Sequence, residues 1–147
     1  MLDAEELIRQ RLENITGVAG VHGLPRIDEE AVAGKKLPAL FVAPTGYRVA
    51  QVMGQLRSVQ IVTEYIVVVA IRNVTETRDG KAPRQHGGEI ATSVIAHLLG
   101  WQPSPAYQPL QMTSKPPIPL YQKDGLVLLS IGFECPQIIN RLPDFPD

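Results

Sequence analysis

Residues Ser58 to Val74, SVQIVTEYIVVVAIRNV, form a β-rich run unbroken by glycine or proline, and its length constrains the fold more than any other feature. Seventeen extended residues at about 3.3 Å each span roughly 55 Å. A compact chain of 147 residues is only about 38 Å across. The strand must therefore bend or project beyond its own domain.

The two faces of this run differ. Val59, Ile61, Tyr65, Val67, Val69 and Ile71 mark one face throughout, whereas the other starts polar with Gln60 and Glu64 and turns apolar at Ile66, Val68 and Ala70. A strand apolar on both faces needs cover on both. Two readings stay open: a central strand covered by the chain's own elements, or a strand whose second face is covered in part by another subunit. Ile66, Val68 and Ala70 are thus candidates for core or subunit-interface packing.

With 44% hydrophobic and 20% charged residues, the composition is that of a soluble globular domain with one core. A net charge of −1 excludes a uniformly basic nucleic-acid binder and leaves only local patches. The longest apolar run, Tyr65–Ile71, is far short of the roughly 20 residues that cross a bilayer. The opening MLDAEELIRQ reads as a charged helix and not as a signal peptide, so no membrane partner is expected. The single cysteine, Cys135, lies in an apolar strand pattern and reads as a buried, inert thiol of a reducing compartment.

A first helix is expected from Asp3, with Asp3 and Glu6 as a capping pair, Ile8, Leu12 and Ile15 on its apolar face, and Gly17 as its end. A short strand near Val18–His22 leads into an exposed excursion, and Leu37–Val42 reads as a strand before a turn at Pro44–Gly46. The segment YRVAQVMGQLRS is ambiguous. Ile90, Val94, Ile95, Leu98 and Leu99 make one stripe of a second helix from Gly88 to Leu99, stopped by Gly100. Strands follow at Leu110–Thr113 and Gly125–Cys135. The order implies an α+β fold: a mostly antiparallel mixed sheet with two helices packed on one face. A single domain over 1–147 is expected, with flexible segments at 23–36 and 75–87 and an irregular C-terminal tail at 136–147.

No motif points to catalysis, a metal or a cofactor. His22, His86 and His97 are scattered without the cysteine or carboxylate spacing of a zinc site, and Cys135 has no cationic sequence neighbour to lower its pKa. Gly87-Gly88 reads either as an anion-holding helix start or as a hinge feeding the helix. In the loop Thr75–His86, Arg78, Lys81 and Arg84 are spaced by three around Asp79-Gly80. They are candidates for contact with a partner, or with DNA phosphates through unspecific positive charge; a solvated hairpin tip is the plainer reading.

The helix ending in IRQRLENITGV, the strand LPALFVAPTGYRV, the long strand TEYIVVVAIRNV, the helix GGEIATSVIAHLLGW and the late DGLVLLSIGFECP together resemble the tail terminator, or tail completion, proteins of long-tailed, Mu-like bacteriophages. The resemblance implies a structural virion protein without enzymatic activity. It implies a homohexameric ring at the head-proximal end of the tail tube, which terminates tube polymerisation and offers the head-joining surface. Its implied partners are the tail tube protein and a head completion or connector protein, with non-specific DNA passage through the lumen, after assembly in the host cytoplasm. In that setting Ile66, Val68 and Ala70 face a subunit or the core, and Arg78, Lys81 and Arg84 face tube, connector or lumen. Another neck connector protein, or a small enzyme of unrecognised type, are the alternatives.

Overall fold

A computed structural model describes residues 4–24, 34–72, 81–113, 119–121 and 125–142. Helix α1 (Glu5–Leu12) is followed by strands β1 (Gly20–Gly23), β2 (Ala39–Met53) and β3 (Ser58–Arg72), helix α2 (Lys81–Leu98), and strands β4 (Gln111–Met112), β5 (Pro119–Tyr121) and β6 (Leu126–Asn140). The fold is α+β, with β3 at the centre of a mixed sheet in the order β1-β2-β3-β6-β4. Both β4 and β5 pair with β6, against different stretches of it. Among the described residues, only β1 runs parallel to its neighbour; the other pairs are antiparallel.

Alternation divides the core in two. Leu40 and Val42 of β2, Tyr65, Val67, Val69 and Ile71 of β3, and Val127, Ile131, Phe133 and Cys135 of β6 join Ile8 and Leu12 of α1 and Ile90, Val94 and Leu98 of α2 in the larger cluster. Both helices therefore cover one face. Each large side chain buried this way contributes roughly 1.5–3 kcal/mol. Ala39, Phe41, Val68, Ala70, Leu126 and Leu128 form a smaller cluster on the opposite face, with Leu24, Leu37 and Ile66 against it. The apolar second face of β3 is thus mostly buried within the chain.

The helices differ from expectation at their starts. Ala4, not Asp3, is the N-cap of α1, without a side-chain cap; its amide instead donates to the Tyr65 hydroxyl at 2.6 Å, which ties the helix start to the central strand. Asp3 lies outside the described residues. The helix ends at Leu12 and not at Gly17.

Helix α2 begins at Lys81, seven residues before the expected Gly88. Pro83 is tolerated there because an amide in the first turn has no intrahelical acceptor. Gly87 and Gly88 are therefore internal, neither a hinge nor a helix start. A Cβ on Gly87 would sit 2.7 Å from Leu129 Cδ1 and 3.0 Å from Ile71 Cδ1, so the missing side chain lets α2 approach the sheet closely.

Two strands outrun their expected ends. β2 does not turn at Pro44–Gly46 but continues to Met53, absorbing Thr45 and Ala50 as irregularities in its pairing with β3. Pairing with a long neighbour overrides the local turn signals, and Gly46 supplies the φ of +144° needed beside the first bulge. β6 passes through Pro136 to Asn140, where an irregular tail from residue 136 was expected. The Pro136 carbonyl accepts from the Gln108 amide, so its backbone points away from β3 and the missing N–H leaves no gap in that ladder. Of the segments expected to be flexible, 25–33 and 75–80 lie outside the described residues.

Candidate functional site

Among the described residues, no helix covers the far half of the sheet. Neither core cluster contains a residue from 45–62 or 136–140, yet β2, β3 and β6 remain paired across this stretch. From Glu64 to Ser58 this three-stranded arm extends roughly 20 Å. Its central strand is shielded by its neighbours: Ile61, Val62 and Thr63 are buried. β2 and the far end of β6 are not: residues 45–52 and 138–140 are exposed, Tyr47 by 67%, whereas Cys135, Pro136 and Gln137 stay buried.

Register places the exposed apolar residues together. Tyr47 lies opposite Thr63, which faces Cys135; Val49 opposite Ile61, which faces Gln137; Val52 opposite Val59, which faces Ile139. The three rows share the face that, farther along, packs on the helices. The bulge at Ala50 keeps this face apolar: without the extra residue, Gln51 and not Val52 would follow Val49 onto it.

The turn joining β2 to β3 is strained. The Arg57 amide donates to the Gly54 carbonyl at 3.2 Å, and the central residues Gln55 and Leu56 have φ of +54° and +69°. Gly54 before them has φ of +60° and the same amide also reaches the Met53 carbonyl at 3.2 Å, so three successive residues make a left-handed turn, which favours glycine and asparagine. Leucine there is conformationally costly, and Leu56 is 78% exposed. Val52, Leu56, Arg57, Val59, Ile139 and Arg141 line a shallow groove of about 330 Å³ at the tip.

At the root of the arm Arg48 lies between two carboxylates, its Nη2 3.2 Å from Glu134 and its Nε 3.8 Å from Glu64. These groups are partly exposed, so each contact contributes less than about 1 kcal/mol. Glu64 and Glu134 also line a concavity of about 410 Å³ with Thr45, Ile66, Thr113 and Gly132.

The other polar candidates stay apart. His22 is in β1, its ring 5.3 Å from that of Phe41. Burial, with Lys35 and Arg9 nearby, lowers its pKa. His86 and His97 are both on α2, eleven residues and about 16 Å apart along the axis; His97 Nδ1 is 2.7 Å from the Ser93 carbonyl. Burial pushes the Cys135 thiol up to about 11, and its Sγ contacts the Gln108 carbonyl. A neutral thiol is a poor nucleophile. Among the described residues, no group of three or more His, Cys, Asp or Glu is placed to hold a metal ion.

Of the residues singled out in the sequence, Val68 and Ala70 are buried and Ile66 is half-buried. Arg78 lies outside the described residues. Lys81 and Arg84 belong to the first turns of α2, and their side chains also fall outside the description. The exposed arm residues Tyr47, Val49, Val52 and Leu56 were not singled out, because they fall in the ambiguous segment. The signal that identifies them is the position of the long strand: β3 starts at Ser58, directly after a four-residue turn, so the preceding segment must pair with it.

The phage tail terminator protein family matches residues 1–143. The chain belongs to this family. Membership makes it a structural phage tail protein. Among solved structures, a chain from "Virion of native gene transfer agent (GTA) particle" is similar at 12% identity with a TM-score of 0.59, covering 91% of this chain and 93% of that one; it shares the fold. No curated protein matches the chain.

Proposed function

We propose that this chain forms a homohexameric ring at the head-proximal end of a phage tail tube, stops tube polymerisation there and presents the surface to which the head is joined. Family membership over nearly the whole chain supports the tail assignment, and the similar fold of a chain from a gene transfer agent virion is in keeping with it. The observation that carries the assembly reading is the uncovered arm: a strand hairpin with Tyr47, Val49, Val52 and Leu56 exposed has more apolar surface than an isolated subunit needs. In this reading the partners are the tail tube protein and a head completion or connector protein, DNA passes through the lumen without sequence-specific contact, and the assembled protein resides in the virion after assembly in the host cytoplasm. The protein acts by contact and not by catalysis. Arg78, Lys81 and Arg84 face tube, connector or lumen.

Electron microscopy of the purified protein mixed with its polymerising tube protein tests this. The expected result is tubes of limited length with a ring at one end. Tubes that grow without limit and never carry the protein at an end would contradict the proposal.

A further inference from the structure

Among the described residues, eight large apolar side chains are exposed, and seven of them, Tyr47, Val49, Val52, Leu56, Ile138, Ile139 and Leu142, belong to the arm and its continuation. The eighth is Leu99, at the end of α2. Charge divides in the same way. Beyond Glu64 and Glu134, which hold Arg48 at the root, residues 49–62 and 135–142 include Arg57 and Arg141 and no carboxylate.

One ridge of the helical layer has the opposite character. Glu6, Gln10 and Glu13 are exposed on α1 and its C-cap, at the four- and three-residue spacing of one ridge. The arginines of α1 are engaged elsewhere. Arg9 is 3.6 Å from Glu5, and Arg11 lies over the Trp101 ring while its Nε donates to the His97 carbonyl. That last bond brings the C-terminal ends of α1 and α2 together, so Glu13 and Leu99 share one end of the layer.

We propose that the arm of one copy lies against the helical layer of a second copy, with Leu56 of the tip meeting Leu99 and Arg57 meeting the Glu6–Glu13 ridge. The chain itself carries the acidic-and-apolar surface that complements its basic-and-apolar arm, which favours a second copy over an unrelated partner. The two surfaces differ, so the contact is head-to-tail. Such contacts close into rings when the rotation per subunit permits. An exposed leucine in a left-handed turn adds to the case: the conformation is unfavourable for the isolated hairpin, and strain of this kind concentrates at contact sites. The inference rests on the ring reading above and names the surfaces that would make it.

The test uses the full chain in two steps. Native mass spectrometry and sedimentation velocity compare the wild type with Arg57→Glu, Glu13→Arg and the two combined, with thermal melts to verify folding; both residues are exposed, so the melts should agree. Association should weaken by about tenfold or more in each single variant, recover in the pair, and fall with added salt in the wild type. Separately, Gln55→Cys and Gln10→Cys placed on differently tagged copies should form a disulfide between copies when mixed, faster than Gln55→Cys with His86→Cys as control, an exposed position about 20 Å from Leu99 along α2. Oligomers unaffected by Arg57→Glu, or crosslinking no faster than the control, would overturn the proposal while leaving the ring intact. A wild-type chain that stays monomeric alone and at tube ends would overturn the ring reading and this contact with it.

Discussion

The same three strands build two regions with opposite fates. In the body, Ala39–Ala43, Tyr65–Ile71 and Leu126–Phe133 are covered by α1 and α2 on one face and on the other bury their own smaller cluster, with Leu24 and Leu37 packed against it. In the arm, the continuations of those strands keep the ladder but lose the cover, so Val52 and Ile139 stand exposed where Leu40 and Phe133 are fully buried. Hydrogen bonding is thus shared by both regions, and packing against the helices only by one. Stability should therefore reside in the body, and the capacity for contact in the arm.

The most direct way to break this comparison is to truncate an aromatic in each. Phe41→Ala should cost about 3–5 kcal/mol in urea unfolding, whereas Tyr47→Ala should change stability by no more than about 0.5 kcal/mol. Similar losses at both sites would mean that the arm packs as the body does. Tyr65→Phe should cost about 1–3 kcal/mol, because the buried Ala4 amide loses its acceptor.

The glycines of α2 sharpen the account of the body. Gly88→Ala meets nothing within 4 Å and should raise stability by about 0.5–1 kcal/mol through helix propensity. Gly87→Ala must push back Leu129 and Ile71 and should lose about 1 kcal/mol or more, in the range of overpacked cores. Thermal melts of the two variants should move in opposite directions.

At the tip, Gln55→Asn with Leu56→Gly puts residues that tolerate a positive φ at both left-handed non-glycine positions. The pair should stabilise the isolated chain by about 1 kcal/mol while reducing association. A double variant that gains stability and still assembles normally would show that Leu56 is not retained for contact.

The smallest expected effect is that of pH. Because the folded-state pKa of His22 is lowered, the unfolded chain binds more protons as pH falls through 6.5. Stability should then decline below that value and level off below the folded pKa. The His22→Gln variant should flatten this part of the pH profile.

Legibility in the sequence followed the strength of local signals. The long run from Ser58, free of glycine and proline, disclosed the central strand and its need either to bend or to project. Spaced aliphatics disclosed α1 and the C-terminal half of α2. The second half of β2 was hidden because Pro44 and Gly46 resemble a turn and because the bulge at Ala50 breaks the alternation of Tyr47, Val49 and Val52. Both features make sense only beside β3, and pairing across a sheet is not a local property. Pro136 concealed the end of β6 for the same reason: only its outward-facing backbone, bonded to Gln108, shows that the strand continues. The arm is the part of the candidate site that sequence reading missed, while Val68 and Ala70, chosen as core or interface, prove to be buried in the chain.

Hydrogen–deuterium exchange of the chain, free and assembled on the end of a tail tube, tests the division between body and arm most directly. The account predicts that body strands exchange slowly in both states, and that assembly raises protection sharply in the peptides covering 45–62 and 136–142. Assembled particles whose arm exchanges as fast as in the free chain would contradict it.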